Sequence, residues 1–480
     1  MLGKKIGLFL GPLAFVGLLL LPTPDMMSTE AWRVIALALF MLAWWVTEAV
    51  PIPVTSLLPI VLLPMLGVMD IETASAPYAS PVIFLFMGGF MIALAMERWG
   101  LHRRIALNIV RLTGTNANGI ILGFMLATAG LSMWISNTAT TIMMLPIALS
   151  VIDLLTKNKA NFSPKGIRYF ALSMMLGIAY AANVGGTATI IGTPPNVVFS
   201  GVIKKLYGLE ISFAKWLMIG FPFALTMLLA TYLIIVNILF PNKLGRFEGA
   251  VSLIQQEVKN LGSMSVGEQR TLLIFSLTAF GWIFRKTLIA LIPGLSISDG
   301  GIAMLASIAL FVTPVDFQKG RFTLDWKDTA KLPWGILLLF GGGLSLAKAL
   351  EQTGIIDLIG DQFKGLDDAS FLIILGLTAV SLFLTEIMSN VALVSIFLPV
   401  VGGIAMGAGI DPLKVCIPVT LAASCAFMLP MSTPPNAIVF ASGHLKVSEM
   451  VRAGFLLNIL AILLTAILAT FMLDWMLGGG

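Results

Sequence analysis

Apolar runs long enough to cross a lipid bilayer recur along the whole chain, near 6–22, 31–50, 52–68, 81–97, 169–191, 214–240, 268–284, 299–313, 332–350, 412–431 and 450–474. A span takes about 20 residues. Inside lipid every backbone N–H and C=O must bond within the chain, so such runs fold as helices. The 480 residues are 58% hydrophobic and 11% charged, where a soluble domain is about a quarter charged. The expected fold class is therefore an all-α polytopic membrane protein. The net charge of +5 does not imply a nucleic-acid partner. The charges sit in loops between apolar spans and make no basic face, the ordinary outcome of the positive-inside rule. Lys4 and Lys5 before "IGLFLGPLAFVGLLLLP" resemble the start of a signal peptide. The run is long for that and no small-residue cleavage site follows, so it reads as the first membrane helix.

Two further apolar blocks, 118–155 and 370–407, are each interrupted near the middle by Ser-Asn. With Lys4 and Lys5 in the cytoplasm, the acidic loops "PTPDMMSTE" and "MDIETASAP" fall outside and the basic "ERWGLHRRIALNIVR" inside. If 118–155 crossed once, the basic "TKNKANFSPKGIR" would lie outside; as a hairpin that enters and returns it stays inside. The same count puts "DFQKGRFTLDWKDTAK" inside and "EQTGIIDLIGDQFKGLDDAS" outside. The block 370–407 then dips in from the outside, and the chain ends outside. Arg285, Lys286, Lys204, Lys205 and Lys215 are exceptions on the outer side. The polar stretch 241–267 reads as a linker between two halves that caps the cytoplasmic surface.

The halves repeat each other. "SNTATTIMMLP" at 136–146 matches "SNVALVSIFLP" at 389–399, and "GTPPNVVFSG" at 192–201 matches "STPPNAIVFASG" at 432–443. Five expected crossings separate the hairpins, an odd number, so the repeats are inverted. Inverted repeats with interrupted helices point to a secondary transporter whose site lies at the midplane. One Ser-Asn-Thr in a membrane helix is commonly a packing feature and one Pro-Pro a kink. Both recurring, in order, in both halves argue for a binding site.

The residue types suit two ligands. Pro194 and Pro195 lack an N–H and free the carbonyls of Ile190 and Ile191; Pro434 and Pro435 do so for Pro430 and Met431. Gly192 and the pre-proline Thr193 ease an unwound turn. Freed carbonyls at membrane depth persist only where they face a cavity or ligand. Oxygens of this kind suit Na⁺. Ser136, Asn137, Thr138, Ser389 and Asn390 are N-cap types that let a helix resume. Helix N-termini carry unpaired N–H groups and partial positive charge, so two such tips make an anion site. No Lys or Arg lies in the four motifs. Neutral donors with mobile Na⁺ compensate a dianion only when both ligands are present, which is a basis for coupling.

Glu48 in "WWVTEAVPIP" and Glu386 in "LFLTEIMSN" are intramembrane acids, functional or scaffolding. The only histidines, His102 and His444, are in loop-like settings, and no GxxxxGK[ST] is present, so neither a triad enzyme nor an ATP-driven pump is expected. Cys416 and Cys425 read as small core residues.

With "WWVTEAVPIPVTSLLP" and "LPWGILLLFGGGLSLA" added to the paired motifs, the sequence resembles the divalent anion/sodium symporters, the INDY-type dicarboxylate, citrate and sulfate transporters. The resemblance covers nearly the whole chain and is greatest to bacterial members that take C4-dicarboxylates such as succinate. It implies a homodimer in the inner (plasma) membrane, with about 11 transmembrane helices per protomer and two re-entrant hairpins. It also implies a scaffold and a transport domain that moves as an elevator. By similarity, Ser136, Asn137, Thr138, Thr193, Pro194, Ser389, Asn390, Val391, Thr433 and Pro434 bind the substrate. Ser132, Ser136, Asn137 and Gly192 would hold one Na⁺, and Thr385, Met388, Asn390 and Ser432 a second. Val391 departs from the family, where dicarboxylate members often carry Thr.

The expected organisation is N-terminal scaffold helices at 1–117, a first hairpin and broken helix at 118–210 and connecting scaffold helices at 211–369. A second hairpin and broken helix follow at 370–447, and a last helix at 448–480. The expected activity is Na⁺-coupled import of a small dianion. A Na⁺-independent dicarboxylate exchanger and a sodium/sulfate symporter stand beside it, and a channel or membrane scaffold protein from other classes.

Overall fold

N-cap side chains and helix-starting prolines divide the apolar runs into helices. In the computed structural model, residues 2–113, 116–157, 163–245, 248–365 and 370–473 are described. Parts of the basic loop 156–168 and of the acidic loop 351–370, and the chain end after 473, lie outside the described residues.

Helix α1 (Leu2–Leu20) is followed by α2 (Thr29–Thr47), started by Ser28, whose Oγ accepts from the Ala31 N–H. The run 52–68, expected as one span, is instead two short helices, α3 (Ile52–Thr55) and α4 (Leu58–Met65). Pro53 and Pro59 each sit in a first turn, where their missing N–H is harmless, and so start new helices rather than extend one. Together, Ile52–Met65 reach only about 21 Å, against a hydrocarbon core of about 30 Å. Then come α5 (Ile71–Ser75), α6 (Pro81–Arg98) and α7 (Leu101–Leu112). The first hairpin is α8 (Ala117–Ser132) and α9 (Asn137–Lys157), and the first broken helix is α10 (Pro164–Gly186) and α11 (Pro194–Tyr207). Next are α12 (Phe213–Leu233), α13 (Glu248–Asn260), α14 (Val266–Ile283), α15 (Arg285–Leu291) bent 77° from it, and α16 (Asp299–Val312). A two-stranded antiparallel ribbon, Pro314–Asp316 with Arg321–Phe322, leads to α17 (Trp334–Gln352) and α18 (Ile355–Asp361). The second hairpin is α19 (Ser370–Thr385) and α20 (Asn390–Gly407), the second broken helix α21 (Pro412–Ala423) and α22 (Pro434–Phe440), and α23 (Val447–Ile467) follows.

Eight helices among the described residues are long and apolar enough to cross a membrane, or nine if α14 and α15 count as one span. Two of these, α9 and α20, are hairpin arms, so seven remain against the eleven the resemblance implies. The other four are α1, the broken run 52–68, the 14-residue α16, and α21 with α22, whose arms are individually short. The helices α10 and α21 also stop at Gly186 and Ala423, short of the expected ends 191 and 431.

Hydrogen bonds and close contacts show that 118–155 and 370–407 each fold back on themselves as a hairpin. Ser381 Oγ donates to the Val419 carbonyl (3.0 Å) and Thr385 Oγ1 to that of Ala423 (2.8 Å), so α19 runs parallel to α21. Helix α20 must then come back to the start of α21. In the first half, Ala129 of α8 faces Gly185 of α10 and Met125 faces Gly177, again parallel. The Ala117 N–H donates to the Gly245 carbonyl, and the Asn242 carbonyl lies against Gly166, so both ends of the hairpin meet at one level. Among the described residues nine helices, α10 to α18, stand between the hairpins; taken as spans, α10 with α11, α12, α14 with α15, α16 and α17 make the five that the sequence reading counts.

The close approach of α8 to α10 depends on Gly185. A Cβ there would lie 2.4 Å from the Ala129 carbonyl oxygen and 2.5 Å from its Cα, backbone atoms that cannot rotate away. Gly185→Ala is expected to lower stability by about 1–3 kcal/mol and to displace the first tip. Thermal unfolding in detergent checks the first effect. An unchanged melting temperature would contradict the close packing.

Candidate substrate and sodium site

The two Ser-Asn tips and the two Thr-Pro-Pro-Asn breaks converge on one cavity of about 1150 Å³. Its walls include Ser136, Asn137, Thr138, Gly192, Thr193 and Pro194 from the first half. The second half supplies Met388, Ser389, Asn390, Val391, Ser432, Thr433 and Pro434. Thus the structure gathers all ten expected substrate residues. Ser132 and Thr385 are fully buried behind the tips and hold them from the back.

Each tip is built alike. Helix α9 starts at Asn137 and α20 at Asn390, so both asparagines lie in a first turn with unpaired N–H groups. Ser136 Oγ accepts from the Ala139 N–H (3.2 Å); Ser389 makes no such cap. Ser132 Oγ lies within hydrogen-bond distance of Asn137 Oδ1 (2.6 Å) and the Ala182 carbonyl (2.7 Å), and its one proton serves either acceptor. Thr385 Oγ1 repeats this with Asn390 Oδ1 (2.7 Å) and the Ala423 carbonyl (2.8 Å). A hydroxyl, an amide oxygen and a helix-end carbonyl therefore cluster at each tip.

Each break is also built alike. Asn196 Nδ2 donates to the carbonyls of Thr189 (2.8 Å), Gly186 and Thr187 (3.4 Å each). Asn436 Nδ2 donates to the carbonyls of Ala426 and Leu429 and to Ser432 Oγ, all at 3.1 Å. These asparagines bind seven and ten residues upstream in both halves. They thereby hold the unwound backbone at carbonyls earlier than the Ile190, Ile191, Pro430 and Met431 carbonyls expected from the proline positions. Gly186 is required for closeness: a Cβ on it would lie 2.6 Å from Asn137 Oδ1 and 3.2 Å from the Gly192 carbonyl oxygen. The oxygens expected for the first Na⁺ are therefore neighbours, and they are hard, neutral donors that suit an alkali cation.

Asn196, Asn436 and Asn183 hold the framework of the site, and the sequence reading did not assign them. The Asn of "TPPN" recurs in both halves, and that repetition was the available signal for two of them. Asn183 Nδ2 donates across the halves to Thr433 Oγ1 (3.0 Å) and Asn436 Oδ1 (3.4 Å). Its only sequence mark is one amide in an apolar helix.

The two acids separate cleanly. Glu48 is exposed and lies 3.4 Å from Lys4. Glu386 is buried, and its carboxylate accepts from the consecutive N–H groups of Phe427 (2.8 Å), Met428 (2.9 Å) and Leu429 (3.2 Å) and from Asn458 Nδ2 (2.8 Å). It pins the second unwound segment to its own hairpin. Lys331, Glu97 and Glu48 line the cavity away from the motifs.

A family profile described as the sodium:sulfate symporter transmembrane region matches residues 4–478. The chain belongs to that family. A sodium-dependent dicarboxylate transporter SdcS of Staphylococcus saprophyticus is 42% identical over 99% of this chain and 92% of its own length. SdcS of Staphylococcus aureus is 41% identical over the same shares. Among solved structures, MtrF of Neisseria gonorrhoeae, presented as illuminating a class of antimetabolite efflux pumps, superposes with a TM-score of 0.57 at 13% identity. That match covers 96% of this chain and 97% of that one. The YdaH transporter of Alcanivorax borkumensis gives 0.52 at 12% identity over 92% and 97%. These two likenesses speak to the fold, that of a polytopic helical membrane protein.

Proposed function

We propose that the protein is a secondary active transporter that couples Na⁺ to the import of a small dianion, a C4-dicarboxylate such as succinate. The observation that carries this is the duplicated cluster of hydroxyl, amide oxygen and carbonyl behind two helix N-termini that face one cavity. The N-termini and the hydroxyls of Ser136, Thr138, Ser389 and Thr433 bind the carboxylates, while Ser132 with Asn137 and Gly192, and Thr385 with Asn390 and Ser432, hold Na⁺ as cargo. Each asparagine offers Oδ1 to the cation and Nδ2 to the anion, so the two ligands share a residue at each tip. With no Lys or Arg in the motifs, the dianion is charge-compensated only when Na⁺ is present. The choice of dicarboxylate over sulfate rests on the full-length similarity to SdcS. Val391, which offers no hydroxyl, narrows the contacts on one side and sets preference among dianions.

In this reading the protein is a plasma-membrane homodimer with the N-terminus cytoplasmic and the C-terminus outside. The hairpins and broken helices (118–210 and 370–447) form a transport domain that moves as an elevator against a scaffold of 1–117 and 211–369. The cavity wall includes Thr47, Glu48, Glu97 and Lys331, on the face where Glu48 meets Lys4. With Lys4 cytoplasmic, that is the inward-open state.

Proteoliposome uptake of labelled succinate tests the coupling. An inward Na⁺ gradient should drive accumulation above equilibrium, and choline in place of Na⁺ at constant pH should reduce uptake to background. Equal uptake in choline would overturn symport and favour exchange.

A further inference from the structure

The two halves differ at one buried joint. Helix α22 packs on α10 as α11 packs on α21. In the second half the joint is closed by Asn183: its Nδ2 faces Thr433 Oγ1 (3.0 Å), Asn436 Oδ1 (3.4 Å) and the Ala426 carbonyl (3.5 Å). The hairpin hydroxyls fix the equivalence of the two helices. Ser132 binds the Ala182 carbonyl and Thr385 that of Ala423, so Ala182 matches Ala423 and Asn183 matches Ser424. The counterparts of Thr433, Asn436 and Ala426 are Thr193, Asn196 and Gly186.

The Ser424 hydroxyl reaches one atom less far than an Asn amide and does not close this joint. Ser424 Oγ and Asn196 Oδ1 are both buried, at 2% and 0% residue exposure, and neither has a hydrogen-bond partner among the described residues. Thr193 likewise makes no side-chain cap, whereas Thr433 accepts from the Asn436 N–H. By the equivalence of the halves, these two unpartnered atoms correspond to the two ends of the Asn183–Asn436 bond, which the first half lacks. Leaving buried polar atoms unpaired is unfavourable.

We propose that this joint is a binding site for a single ordered water, held by Ser424, Asn196, Thr193 and the Gly186 carbonyl, which stands in for the amide of Asn183. Valence fits: Asn196 Oδ1 and the carbonyl only accept, the two hydroxyls can donate, and water offers two donors and two acceptors. Size fits too. The matching cage in the second half has oxygens 3.0–3.5 Å from its centre. That suits water, while a hard cation of this size wants oxygens near about 2.3–2.6 Å. The water positions Thr193 for substrate and the Gly186 turn for the first Na⁺.

The test uses the full-length protein in nanodiscs. A density map with resolved waters should show one peak within hydrogen-bond distance of both Ser424 Oγ and Asn196 Oδ1, unchanged when choline replaces Na⁺. Ser424→Asn should displace that peak, raise the melting temperature by a few degrees and keep uptake within about threefold. Ser424→Ala should lower the melting temperature. The proposal fails if the wild-type map has no peak there. It also fails if the peak has ligands near 2.4 Å and vanishes in choline, or if Ser424→Asn lowers the melting temperature. None of these outcomes depends on whether transport is symport or exchange.

Discussion

Asn137→Ala and Asn390→Ala are each expected to reduce Na⁺-driven uptake by at least about a hundredfold while leaving a folded protein. Each amide serves a cation with Oδ1 and an anion with Nδ2 in the proposed site, and a hydrogen bond to a charged group contributes about 1.5–3 kcal/mol. Two such bonds lost together exceed the 2.7 kcal/mol or so that a hundredfold requires. The fold tolerates the change because Ser132 and Thr385 keep their second acceptors, the carbonyls of Ala182 and Ala423. Uptake by reconstituted variants, read beside their melting temperatures, checks both halves of the prediction. A variant with normal uptake would remove its tip from the site.

Glu386 carries the largest expected effect on stability. Its carboxylate is the acceptor for three backbone N–H groups and the Asn458 amide in a buried setting. In Glu386→Leu four donors lose their acceptor at about 1–3 kcal/mol each, comparable with the whole stability of a typical domain. That variant is expected not to accumulate as folded protein. Glu386→Gln keeps one acceptor oxygen, so it should fold with a reduced melting temperature. Because residues 427–429 lead into Ser432 and Thr433, its half-saturating Na⁺ concentration should rise several-fold. Glu386→Leu with a wild-type melting temperature would show that the segment is held by packing instead.

What was legible in the sequence was whatever repeated. The Ser-Asn tips and the Thr-Pro-Pro-Asn breaks occur in both halves in the same order, and the structure brings them to one cavity. The hairpin form of 118–155 followed from loop charge, because a single crossing would have put a basic loop on the wrong side. The run 52–68 was misread because hydropathy does not register that Pro53 and Pro59 restart the helix. Asn183 and Asn458 were not found because a lone amide in an apolar helix has no local pattern. Their partners, Thr433 and Glu386, lie far away in sequence. The role of Glu386 needed coordinates for the same reason: nothing near it in sequence names three backbone donors some forty residues on.

The most direct test is a density map of the protein with Na⁺ and succinate. The account predicts a dicarboxylate between residues 136–138 and 389–391, with one spherical peak beside Asn137 and Gly192 and another beside Asn390 and Thr385. Succinate bound elsewhere, or succinate at the tips with neither cation peak present, would contradict it.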